Sequence, residues 1–100
     1  SVERVSAYKY QSLTSGFTNN VAEIFVVTVE PKPLDIDFYQ NIHAGQEFNM
    51  VLEGSMMLHI NGKNLVLEEG DSIYFDSSLP HGMKALNDKP VKFLAVILYP

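Results

Sequence analysis

The dipeptide Asn61-Gly62, set between two short apolar-rich runs, Ser55 to Ile60 and Lys63 to Glu68, constrains the fold more than any other feature of the chain. A two-residue type I′ turn needs positive φ at both central positions, which asparagine and glycine tolerate best, so this stretch predicts an antiparallel hairpin. In that register His59 stands opposite Asn64. Further turn signals follow at Ser15-Gly16, Asn19-Asn20, Pro31 with Pro33, Gly70-Asp71, Asp76 to Pro80 and Asn87 to Pro90. The stretches between them read as strands, and no segment carries a helical period of useful length. About nine or ten short strands in 100 residues predict a single all-β domain, and a double-sheet jelly roll fits best.

The strands differ in character. Val2 to Leu13 reads as an edge strand, whereas Val21 to Glu30 and Val91 to Tyr99 are apolar on both faces and should be covered on both sides, the latter centrally. Ile36 to His43 sets Ile36, Phe38 and Ile42 on one face against Asp37, Tyr39, Asn41 and His43 on the other. After a turn, Glu47, Asn49 and Val51 alternate with Phe48, Met50 and Leu52. His43 and Glu47, four residues apart across that turn, therefore point into the same space. Imidazole nitrogen and carboxylate oxygen are ordinary ligands of zinc, non-haem iron and manganese, and His81 offers a third. Counting by twos puts Tyr39, Asn41, Asn49 and Met83 on the same faces as those three, as candidate pocket wall. Met50, Met56 and Met57 read as core filling, His59 as a sheet residue, and one of Tyr74 and Phe75 must face inward. Ser77-Ser78 lies near His81, but no orienting acid accompanies it, and no catalytic residue is assigned.

Composition narrows the function classes. The absence of cysteine removes disulfides, thiolate nucleophiles and sulfur-ligated zinc sites, and fits a cytoplasmic protein. A net charge of −5 argues against a surface that tracks phosphates, so this domain by itself should not bind DNA. No membrane span or signal pattern is evident. Ser1 is not a natural start, and the expectation is a piece of a longer chain.

Glu47-Phe48-Asn49-Met50-Val51-Leu52-Glu53-Gly54, followed by Gly70 to Phe75 and then Pro80-His81 with Asn87 beyond, resembles the two motifs of the cupin superfamily, small jelly-roll barrels also described as double-stranded β-helices. By position His43 matches the second histidine of the first motif, Glu47 its glutamate and His81 the histidine of the second, while Asn41 stands where the first histidine would be. Gly45 to Phe48, Glu69 to Ser78 and Leu79 to Leu86 resemble, more narrowly, the C-terminal cupin domains of Xre-type helix-turn-helix transcription regulators. The resemblance implies that residues 1–100 are a cupin domain whose N-terminal DNA-binding domain is absent. It implies a small-molecule effector bound by Tyr39, Asn41, His43, Glu47, Asn49, His81 and Met83. It also implies a divalent transition metal (zinc, iron, manganese or nickel) on His43, Glu47 and His81, and a homodimer that meets DNA only through the missing domain. The N-terminal strand, or the face carrying Ile36, Phe38 and Ile42, is the expected subunit contact. The alternative is a stand-alone metal-dependent cupin enzyme of dioxygenase, isomerase or decarboxylase type.

Overall fold

The computed structural model describes residues 8–33, 37 and 40–99. Among these, eight strands form two sheets: β1 (Tyr8–Ser12), β2 (Ala22–Val29), β3 (Gln46–Glu53), β4 (Met56–Ile60), β5 (Lys63–Leu67), β6 (Ser72–Asp76), β7 (His81–Ala85) and β8 (Val91–Leu98). The larger sheet runs β1-β2-β8-β3-β6 and the smaller β5-β4-β7, with every strand pairing antiparallel. The expected all-β jelly roll is therefore present, with β8 central and β1 at an edge. Among the described residues no helix is long and apolar enough to cross a membrane.

Local chemistry accounts for the elements. Asn61 and Gly62 take φ of 48° and 81°, the hairpin pairs Ile60 with Lys63 and His59 with Asn64, and His59 Nδ1 meets Asn64 Oδ1 at 2.6 Å. Alternation along β3 buries Glu47, Asn49 and Val51 and leaves Phe48 and Met50 half-buried and Leu52 exposed. The core lies between the sheets, built by Val27 and Val29 of β2, Val51 of β3, Met56 and Leu58 of β4, and Val91, Phe93 and Ala95 of β8. Phe75 faces inward and Tyr74 outward. The expected strand from Ile36 to His43 falls partly outside the described residues, including Ile36, Phe38 and Tyr39. Its described end contributes one antiparallel bridge, Asn41 to His81.

Gly54 closes the turn between β3 and β4 with φ +89°, and a Cβ added there would lie 2.7 Å from the Pro90 carbonyl oxygen. Both the left-handed backbone and the contact with a second turn exclude a side chain. Gly54→Ala is expected to cost about 1–3 kcal/mol, read as a lower urea midpoint at unchanged slope.

Candidate metal and ligand site

Three side chains from different parts of the fold converge between the sheets. Glu47 is the second residue of β3, where it pairs with Phe75 of β6 and Ile97 of β8. His81 opens β7 in the other sheet. His43 precedes the β3 turn, and the segment that carries it is laced on both sides. Asn41 N–H donates to the His81 carbonyl (2.6 Å) and His81 N–H to the Asn41 carbonyl (3.0 Å). His43 N–H donates to Ser77 O (3.0 Å), and Ser77 N–H to Gly45 O (3.2 Å). Backbone bonds thus hold a loop histidine against a strand histidine.

His43 Nε2 lies 3.0 Å from Glu47 Oε1 and His81 Nε2 lies 3.6 Å from the same oxygen. One donor atom from each side chain lies within 4.8 Å of the other two, close enough that the three could hold a metal ion. His81 Nδ1 is 2.8 Å from the Leu79 carbonyl oxygen, which can only accept, so Nδ1 carries hydrogen and Nε2 is the nitrogen turned to the site. The His81 ring packs edge-on against Phe75 and His43 at centroid distances of 5.0 and 5.2 Å. Glu47 and His81 are almost wholly buried. Burial opposes charge on Glu47, but the approach of His81, the hydrogen bond from Asn49 and the field of both imidazoles outweigh it, holding the carboxyl below its ordinary range. For His81 burial again opposes the charge, and Glu47 together with the Leu79 carbonyl reverses the balance, raising the imidazole above its ordinary value.

This donor set fits a divalent cation. Two imidazole nitrogens and one carboxylate oxygen make the facial arrangement that leaves coordination positions open, and the Nδ1-to-carbonyl bond of His81 is the usual way a ligating imidazole is oriented.

A cavity of about 180 Å³ opens beside the triad. Asn41, His43, Glu47 and His81 form its polar corner, and Met83, Tyr8, Tyr10 and Phe25 with the inward residues of β8 form the rest. Of the residues expected at the site, Asn41 and Met83 line this cavity with the triad. Asn49 is buried and turns its amide to Glu47 at 2.9 Å, and Tyr39 lies outside the described residues. Sequence reasoning missed the wall supplied by β1, β2 and β8. The period-two pattern places Phe25, Val27, Phe93 and Ala95 inward, but inward apolar residues read as core unless the opposite sheet stands off from them.

Tyr8 does more than line the cavity. Its hydroxyl donates to the Met83 carbonyl (3.0 Å) and accepts from the Met83 N–H (3.3 Å). Because β7 is an edge of the smaller sheet as described, the phenol satisfies backbone groups that no strand among the described residues pairs. Tyr8→Phe keeps the ring and orphans both groups, an expected loss of about 1–3 kcal/mol in urea unfolding.

A family model described as Cupin domain matches residues 25–97. The cupin domain of an XRE family transcriptional regulator from Enterobacter cloacae is similar in fold, with TM-score 0.80 and 23% identity over 94% of this chain and 98% of that one. Fe(II)-HppE, solved with the alternative substrate (S)-1-HPP, is similar with TM-score 0.83 and 29% identity over 96% of this chain and 52% of that one. An HTH_3 family transcriptional regulator from Vibrio cholerae is similar with TM-score 0.75 and 26% identity over 100% of this chain and 55% of that one. The chain therefore spans about half the length of the last two proteins. No curated protein sequence matches the chain.

Proposed function

Because the chain belongs to the cupin family, we propose that the cavity beside His43, Glu47 and His81 is an effector site and that the domain is the sensing part of an Xre-like helix-turn-helix transcription regulator. The observation that carries this reading is the cavity itself: a partly open, largely apolar and aromatic wall with one polar corner, the layout of a small-molecule site. A cavity of about 180 Å³ suits a small-molecule effector. Asn41 and the triad orient its polar end, and Tyr8, Phe25, Met83 and Phe93 enclose its body. The similarity to two regulators, one of them about twice the length of this chain, supports an attached DNA-binding domain.

The triad would hold a divalent transition metal (zinc, iron, manganese or nickel), which when bound would supply a Lewis acid for an oxygen of the effector. Glu47 contributes the compensating charge, and His81, oriented by Leu79 O, offers Nε2 without rotation. Occupancy reaches the preceding domain through Tyr8, which lines the cavity at the very start of β1 and is bonded to Met83 on the facing sheet. Such a signal requires that the effector bind two arrangements of this junction with different affinity. The regulator acts in the cytoplasm as a homodimer, since helix-turn-helix proteins read paired half-sites with two-fold symmetry. Ile42, which is exposed, belongs to the face proposed as the subunit contact.

Native mass spectrometry of the purified domain, with metal content from the same sample, tests the reading. A dimer is expected, carrying a small organic mass and a metal that the His43→Ala/His81→Ala double variant loses. A monomer with no bound mass under any loading condition would sink it. A competing reading, a stand-alone metal-dependent cupin enzyme, is favoured by the similarity to Fe(II)-HppE. The coding sequence upstream separates the two: a helix-turn-helix pattern supports the sensor, and an initiator immediately upstream supports the enzyme.

A further inference from the structure

Glu47 presents its two carboxylate oxygens to different neighbours. Oε1 faces the imidazoles, 3.0 Å from His43 Nε2 and 3.6 Å from His81 Nε2, whereas Oε2 accepts a hydrogen bond from Asn49 Nδ2 at 2.9 Å. The same Nδ2 donates to the Phe48 carbonyl at 3.1 Å. Both partners are acceptors, so the amide nitrogen must occupy that side and the orientation of the carboxamide is fixed.

Asn49 is 0% exposed, and its Oδ1 has no hydrogen-bond partner among the described residues. It sits on β3 between Ile73 of β6 and Ala95 of β8, on the inward face that continues with Val51. A leucine or valine would fill such a position without leaving a buried oxygen unsatisfied, which costs about 1–3 kcal/mol. An amide there serves two acceptors that an apolar side chain cannot, the Phe48 carbonyl and the Glu47 carboxylate, and only the second belongs to the triad.

We propose that Asn49 is a positioning residue that reserves Glu47 Oε2 and so makes Glu47 a one-oxygen ligand for a divalent cation held with His43 and His81. The role rests on the metal-site reading above. With Oε2 tied to Asn49, the carboxylate cannot turn to embrace a cation with both oxygens. Only Oε1 would then be available to a bound cation, which would leave room in its shell for a further ligand. Asn49 thus acts on the effector through Glu47 and does not touch it.

Cobalt(II), titrated into wild type, Asn49→Leu and Asn49→Ala and followed by visible absorption, tests the role, with circular dichroism to establish that each variant keeps the β fold. Without the donor the Co²⁺ dissociation constant is expected to rise about 10–100-fold. The spectrum of the saturated site should also change, because a second carboxylate oxygen enters the cation's shell. If the leucine variant does not fold, the alanine variant, which lacks the donor and adds no bulk, carries the comparison. Affinity unchanged in both variants, with an unchanged spectrum, overturns the positioning role and leaves the metal site standing. A weaker affinity with the wild-type spectrum at saturation also overturns it, since that is what a general loosening of β3 produces. Wild type that takes up no Co²⁺ overturns the metal site and the role together.

Discussion

Phe93→Ala is expected to destabilise the domain by about 3–5 kcal/mol, the usual cost of deleting a buried aromatic ring. Phe93 sits at the middle of the larger sheet, opposite Val27 on β2 and Val51 on β3, and is 2% exposed. Against a total of about 5–15 kcal/mol for a domain of this class, that loss leaves little in reserve. The ring also forms part of the cavity wall, so its removal enlarges an existing space. A small apolar solute such as benzene should therefore recover part of the stability, as apolar cavities take up such molecules. Met56→Ala is the control: Met56 is equally buried, is absent from the cavity lining, and should cost about 2–5 kcal/mol with less recovery. Urea unfolding with and without benzene reads both. A loss below about 1 kcal/mol at Phe93 would mean that the two sheets close over the site and that the cavity is not a held feature of the fold.

The same residue illustrates which parts of the molecule were legible from the sequence. Turn chemistry is local, so the Asn61-Gly62 hairpin and the pairing of His59 with Asn64 could be read directly. The two unlike faces of β3 were equally readable, because a carboxylate and an amide alternating with apolar residues have no other regular arrangement in a strand. The convergence of His43, Glu47 and His81 could be expected from motif resemblance, and the distances agree with it. The aromatic side of the cavity could not. Tyr8, Phe25 and Phe93 obey the same period whether they fill a core or surround a void, and only the spacing of the two sheets decides between them. Nor could the division of labour along one face be read. Asn49 shares its face with Glu47, yet its amide is committed to the carboxylate at 2.9 Å, a distance that depends on rotamers and not on the alternation.

Removing the divalent cation is expected to change the pH at which the domain is most stable. In the metal-free protein, Glu47 lies below its ordinary value of 4.5 and His81 above its ordinary value of 6.5. The Glu47 contribution is complete above pH 4.5 and is lost as pH falls through the lowered folded value. The His81 contribution runs the other way: it is complete below pH 6.5 and is lost as pH rises through the raised folded value. Both are present together only between about pH 4.5 and 6.5, so the metal-free domain should melt highest there. A cation competes with the protons in question, since it requires a bare nitrogen on each imidazole and an ionised carboxylate. Its stabilisation, about 2.7 kcal/mol at a concentration 100 times Kd, should be largest above the raised His81 value and shrink towards pH 5. Thermal melts from pH 4 to 9, after chelation and with added Zn²⁺, should thus diverge on the alkaline side and converge in acid. His81→Ala should flatten the alkaline limb of the metal-free profile and abolish the zinc response. A zinc shift of constant size across the range would mean that the cation binds elsewhere, because only a site that exchanges protons for metal can tie the two profiles together.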